Sequence, residues 1–168
     1  MKRSIELMSP AGSYEALMAA IKAGCNSVYF GVEQLNMRAR SSNNFTLEDL
    51  KRIAEIGKEN NVKTYLTLNT ILYDHDITLM KSIVSTAKES GVTAIIAADH
   101  AVMNYAKKIG MEIHISTQAN VLNYLDAQVF WDLGVKRIVV AREISLKDVV
   151  EIKKHLPEME IEIFVHGS

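Results

Sequence analysis

The sequence predicts an α/β fold, a parallel (β/α) barrel of the TIM type, incomplete, with about seven strands and six helices, and three observations predict it. Short β-branched runs alternate with longer helical patterns along the whole chain, the signature of successive βαβ units and hence of a parallel sheet. Helical patterns stop at glycines, Gly24, Gly91, Gly110 and Gly134, shortly before the next strand. Polar residues suited to binding gather after the strands, the side on which (β/α) barrels carry their sites. The competing fold, an open doubly wound sheet, calls for a glycine-rich phosphate loop after the first strand. Ser9-Pro10-Ala11-Gly12-Ser13 lacks that pattern.

The first strand is expected at Ile5–Met8, followed by a turn at 9–12. Ser13 then caps a helix from Tyr14 to Ala23. Ser27–Val32 reads as strand two and Glu33–Phe45 as a polar loop. Thr46, with an acid three residues on, opens helix two, whose apolar face of Leu50, Ile53, Ala54 and Ile56 runs to about Asn60. Lys63–Leu68 is strand three, and helix three spans about Asp76 to Glu89. Ala94–Ala98 is strand four, followed by a short helix from Val102 to Lys108. Glu112–Ile115 is strand five, and helix five covers about Leu122 to Leu133. Arg137–Ala141 is strand six, Ser145 caps helix six, which ends at Pro157, and Glu160–Val165 is strand seven.

A closed barrel of this type needs about eight strands. Seven are counted, so residues 1–168 read as a single barrel domain forming the N-terminal part of a longer protein. Strands one and seven are then open edges that invite self-association.

Composition narrows the function. With 48% hydrophobic and 23% charged residues, the chain has a globular profile. A net charge of −1 gives no global field for non-specific nucleic-acid binding, though a local basic patch stays open. The N-terminal apolar run is broken by Glu6 and Pro10, too short for a signal segment, and no run reaches membrane-spanning length. The cytoplasm is the expected location. Cys25 is the one cysteine, which excludes an intrachain disulfide and any cysteine cluster within these residues.

The residues trailing each strand are the candidates for chemistry. Asn36, Arg38 and Arg40 follow strand two, Asn69 and Thr70 strand three, and Asp99-His100 strand four. Ser116, Thr117, Gln118 and Asn120 follow strand five, Arg142-Glu143 strand six, and His166 strand seven. Arg38 and Arg40, two apart, point the same way in an extended segment and suit phosphate or carboxylate; two solvated arginines are the plain alternative. Arg142-Glu143 reads equally as a binding pair or a structural ion pair. Ser9, Thr46, Asn120 and Ser145 are better explained as caps, and Asp99 or His100 as a cap of helix four. His114, inside strand five, reads as core or barrel lining, and Cys25 as a small buried hydrophobe. Asp74-His75-Asp76 resembles a metal set only in one dimension, because sequence neighbours rarely converge on one ion. No zinc-protease, serine-hydrolase or P-loop motif is present.

The segments 7–12, 36–40, 67–70, 116–120 and 141–146, with the ending Glu160-Ile161-Glu162-Ile163-Phe164-Val165-His166-Gly167, resemble the collagenase-like peptidase family U32 across essentially the whole chain. The stretch 116–143 and the ending 159–167 are most similar to its transfer-RNA hydroxylation branch. That resemblance implies a component of an iron–sulfur-dependent RNA hydroxylase acting on tRNA uridine, its cluster held by cysteines beyond residue 168. Transfer RNA or another RNA and a small anionic oxygen donor, prephenate in the RNA branch, are the implied partners. In this reading Arg38, Arg40 and Arg142 bind anionic groups, and Asn69 and Gln118 hydrogen-bond a planar polar ligand. Two alternatives stand beside it. One is a collagenase-like peptidase in which Glu143 or His166 activates water. The other is a non-catalytic barrel that serves as a binding module.

Overall fold

The computed structural model describes residues 5–36 and 45–166. Seven parallel strands follow one another in sequence order: β1 (Met8–Pro10), β2 (Ser27–Phe30), β3 (Lys63–Leu68), β4 (Ala94–Ala97), β5 (Glu112–Ile115), β6 (Arg137–Val139) and β7 (Glu160–Glu162). Six helices among the described residues connect them: α1 (Tyr14–Lys22), α2 (Asp49–Glu59), α3 (Ile77–Ser90), α4 (His100–Lys108), α5 (Tyr124–Asp132) and α6 (Leu146–His155). The sheet is curled. Glu6, just ahead of β1, bonds Arg137 on β6 at 2.8 and 3.0 Å, 131 residues along the chain. The barrel is open between β1 and β7, which do not pair among the described residues.

Alternation along the strands sorts side chains to two faces. Val28, Phe30, Leu66, Leu68, Ile95, Ala97, Ile113, Ile115 and Ile138 face the helices. There they meet Leu17 and Ala20 of α1, Leu50, Ile53 and Ile56 of α2, and Met80, Ile83, Val84 and Ala87 of α3. Tyr65, Ala94 and Ile96, with Met8 and Tyr29, form a separate cluster on the other face, the barrel interior. Gly57 lets α2 lie close on β3: a Cβ there would sit 2.7 Å from both the Val62 carbonyl oxygen and the Thr64 methyl.

The element boundaries move for local reasons. Strand one is expected at Ile5–Met8 but forms at Met8–Pro10. The backbone N–H of Leu7 donates to the Asn26 side chain, and that of Asn26 donates to the Leu7 carbonyl, which sets Met8 opposite Ser27. Pro10, lacking an N–H, is tolerated because β1 is an edge strand. Helix two begins at Asp49 rather than directly after Thr46, because Asp49 Oδ2 accepts from both the backbone and the hydroxyl of Thr46 at 2.7 and 2.8 Å. Helix three is preceded by a single 3-10 turn, Asp74–Asp76. Helix four starts two residues early, at His100, because Asp99 caps it. Helix five starts late, at Tyr124, because the Asn123 side chain accepts the Asp126 N–H at 3.0 Å. Strands two, four, six and seven are shorter than expected at their trailing ends.

Candidate functional site

The trailing ends of the strands form a mouth, and the structure places Asn69, Asp99, Ser116, Gln118, Arg142, Glu143 and His166 there, each following its strand. Asn69 Nδ2 donates to Ser116 Oγ at 3.3 Å, across β4. Ser116 is buried, and its hydroxyl also accepts the Gln118 N–H at 3.3 Å, fixing a 3-10 turn (Thr117–Ala119) that presents Gln118 to solvent. Beside Asn69, Thr70 Oγ1 is buried without a hydrogen-bond partner among the described residues. The guanidinium of Arg142 lies 5.3 Å from the centre of the half-exposed Phe164 ring. Glu143 and His166 are exposed.

Other mouth residues serve the fold. Asp99 accepts the Ala101 N–H at 2.7 Å and the Leu72 N–H at 3.2 Å, so it caps α4 and ties down the loop after β3. Asn36 is buried, and its amide donates to the carbonyls of Val32 and Gln34. Gly31 is required there, since a Cβ would come within 2.6 Å of the Asn36 side chain. Arg38 and Arg40 lie outside the described residues. His75 stacks on Tyr73 at 5.8 Å, with its ring nitrogen 3.6 Å from Asp76. No group of three or more metal-ligating side chains occurs among the described residues. Cys25 is buried beside the leading end of β2, and burial pushes its thiol up. A single cysteine does not fit a four-thiolate iron–sulfur cluster, so no chemistry is derived through one.

At the opposite end of the interior lies a floor that the strand-end reading passes over. Arg137 is 6% exposed and saturated. Its Nε donates to Glu160 at 2.8 Å, its Nη2 to Glu160 at 2.6 Å and Glu6 at 3.0 Å, and its Nη1 to Glu6 at 2.8 Å and the Tyr65 oxygen at 3.4 Å. Tyr65 donates to Glu6 at 2.7 Å, and Lys63 reaches Glu6 at 2.8 Å. Burial on its own raises the Glu6 carboxyl, but hydrogen bonds from Arg137, Lys63 and Tyr65 outweigh it and hold that group well below the usual carboxylate range. Burial, then the bond to Glu6, raises the Tyr65 phenol.

His114 confirms the barrel-lining reading. It is 0% exposed, sits edge-on to Tyr65 at 4.7 Å, and its Nε2 lies 3.0 Å from Glu112. Burial lowers its pKa, while its bond to Glu112 brings that carboxyl down to about 2. His114 Nδ1 has no partner among the described residues. Glu162 on β7 sits 3.7 Å from Arg137 Nη1, and its Oε2 also lacks a hydrogen bond. Burial pushes it up to about 7 against the pull of Arg137, with Glu6 adding to the rise. The signal in the sequence was the i, i+2 spacing of Glu160 and Glu162, together with Arg137 opening a β-branched strand.

Comparison with known proteins adds independent findings. The model of "Peptidase family U32" matches residues 12–168. A "Collagenase" of Porphyromonas gingivalis is 49% identical over 97% of this chain and 42% of its own length. A "tRNA hydroxylation protein P" of Helicobacter pylori is 47% identical over 98% of this chain and 39% of its own length. The chain thus spans about two fifths of these relatives. Among solved structures, "The Structure of the U32 Peptidase Mk0906" superposes with a TM-score of 0.74 at 13% identity, over 97% of this chain and 70% of that one, a likeness of fold.

Proposed function

The chain belongs to peptidase family U32, and from that premise we propose that it is the barrel part of an enzyme that hydroxylates uridine in transfer RNA. Two Helicobacter pylori relatives that carry the hydroxylation name, at 47% and 46% identity over 98% of the chain, support the reading. The observation on the molecule that carries it is the Arg142–Phe164 pair. A guanidinium over a half-exposed ring offers a cation for phosphate and an aromatic face for a base, the combination that single-stranded RNA sites use.

Arg142, with Arg38 and Arg40, receives RNA phosphates or the carboxylates of a small oxygen donor. Asn69 and Gln118 bond the edge of the base, with Thr70 Oγ1 beside them. Glu143 and His166 stand at the rim to exchange protons with water. In this reading an iron–sulfur cluster is held by cysteines from outside these 168 residues, and the protein works in the cytoplasm. No helix among the described residues is long and apolar enough to cross a membrane. The open edges at β1 and β7 are surfaces for self-association.

The test is mass spectrometry of transfer-RNA nucleosides from a strain lacking the gene and from the same strain complemented. A hydroxylated uridine should vanish and return. Unchanged RNA sinks the reading. A second reading, peptide hydrolysis with Glu143 or His166 activating water, has its support in the 49% identity to the collagenase. Gelatin cleavage that is lost in Glu143→Gln, with RNA unchanged, would establish it instead.

A further inference from the structure

The outer wall of the barrel carries a groove that the mouth does not account for. It runs between α3 and α4, with a volume of about 280 Å³. Apolar Met80 and Ala101 line it, together with Lys81, Asn104, Tyr105 and Lys108. No side chain in its lining is acidic. Cations on other helices have carboxylates beside them: Arg52 on α2 pairs with Glu55 and Glu59, and Lys154 on α6 with Glu151. Lys81 and Lys108 are exposed, and among the described residues no carboxylate pairs with either. Lys81 Nζ lies instead 5.9 Å from the centre of the Tyr105 ring. That ring is fixed by the bond between its hydroxyl and Ser85 on α3, at 3.0 Å.

The head of the groove lies on the mouth side. Ile77 and Ala101, which also line it, stand in the first turns of the helices that follow β3 and β4. The loop after β3 crosses this head. Its Leu72 N–H donates to Asp99, the cap of α4. The Tyr73 N–H donates to the Asp76 carboxylate and the Asp76 N–H to the Tyr73 carbonyl, both at 2.9 Å, just ahead of α3. On this pinned turn Tyr73 stays 66% exposed, its ring parallel to that of His75. A large ring held outward on a fixed turn contributes little to the core.

We propose that this groove is a second RNA-docking surface, seating a single-stranded segment that leads away from the mouth, its phosphates against Lys81 and Lys108 and an unpaired base on the Tyr73 ring. The inference rests on the RNA reading of the protein. Two cations without carboxylates to neutralise them suit a run of phosphates, and an exposed ring accepts the face of any base. An acidic peptide would satisfy the lysines but leave Tyr73 without a role. The net charge of −1 supplies no global attraction for a polyanion, so the attraction has to be local.

The test is binding of a short fluorescent single-stranded RNA to the full chain over a range of salt. In the double variant Lys81→Gln/Lys108→Gln, affinity at low salt should fall about tenfold or more. The slope of log K against log salt should shrink by about 1.4, the share of two phosphates. Lys81→Arg/Lys108→Arg should keep both affinity and slope. Tyr73→Ala should weaken binding about fivefold or more with the slope unchanged, while Tyr73→Phe binds as wild type. Wild-type affinity and slope in the double glutamine variant, with Arg142→Ala still weakening binding, overturns the groove and leaves the RNA reading standing. A wild-type chain that binds no RNA sinks the RNA reading, and the groove falls with it. Polyglutamate bound more tightly than RNA, with Tyr73→Ala indifferent, makes the groove a seat for acidic peptide and overturns the proposal as well.

Discussion

The floor and the mouth of this barrel are built from the same kinds of residue to opposite ends. At the floor, one arginine is held by two carboxylates and a tyrosine, and all its donors are used. At the mouth, Arg142 lies over a half-exposed ring, Gln118 faces solvent, and Thr70 keeps a buried hydroxyl without a partner among the described residues. A saturated network fixes geometry, because losing one member leaves buried charge uncompensated.

Breaking the floor should have the largest effect. Arg137→Ala removes the buried cation that partly buried Glu6 shares with exposed Glu160 and should cost roughly 3–5 kcal/mol, read in urea melts. A loss under about 1 kcal/mol would make the network ornamental. The same change at the mouth should separate binding from stability. Arg142→Ala should leave the melt near wild type and weaken binding of a short single-stranded RNA about tenfold or more, with Phe164→Ala behaving alike. Equal destabilisation by Arg142→Ala and Arg137→Ala would erase the distinction.

Acidity sharpens it further. Glu112, lowered to about 2 chiefly by its bond to His114, contributes stability that is present above its unfolded pKa of 4.5 and lost as pH falls toward 2. Glu162 works in the other direction. Raised from 4.5 to about 7, it contributes most below 4.5, and its contribution is lost as pH rises through 7. His114, lowered by burial, pushes total stability the other way in the same window, so the quantity to follow is the difference between wild type and Glu162→Gln, which should decline between pH 4.5 and 7 in a series of melts. A difference with no slope there removes Glu162 from the account. The smallest effect belongs to a mouth carboxylate already committed to the backbone. Asp99→Ala should cost about 1 kcal/mol, the worth of a helix cap, with RNA binding retained.

The fold was legible because alternation of period is a local property, and Ser13, Asp99 and Ser145 cap their helices from neighbouring positions. The mouth was legible by rule, since parallel strands deliver their trailing ends to one side. The floor was not. Its members become neighbours only through register, with His114 opposite Arg137 and Arg137 opposite Glu160, and through curvature that brings in Glu6. No window of sequence contains that juxtaposition. The first strand was misplaced for a related reason: Asn26, nineteen residues away, holds Leu7 and so decides where pairing begins. Arg38 and Arg40 fall outside the described residues, and their part in the mouth stands as proposed.

The clasp between Glu6 and Arg137 also bears on how the chain is made. Its two halves are separated by 131 residues, so at ordinary rates of synthesis the glutamate is added roughly 7–26 s before its arginine. During that interval the early βα units lack the contact that holds the curled sheet, and a nascent chain caught there exposes the aromatic and acidic lining that the finished molecule hides.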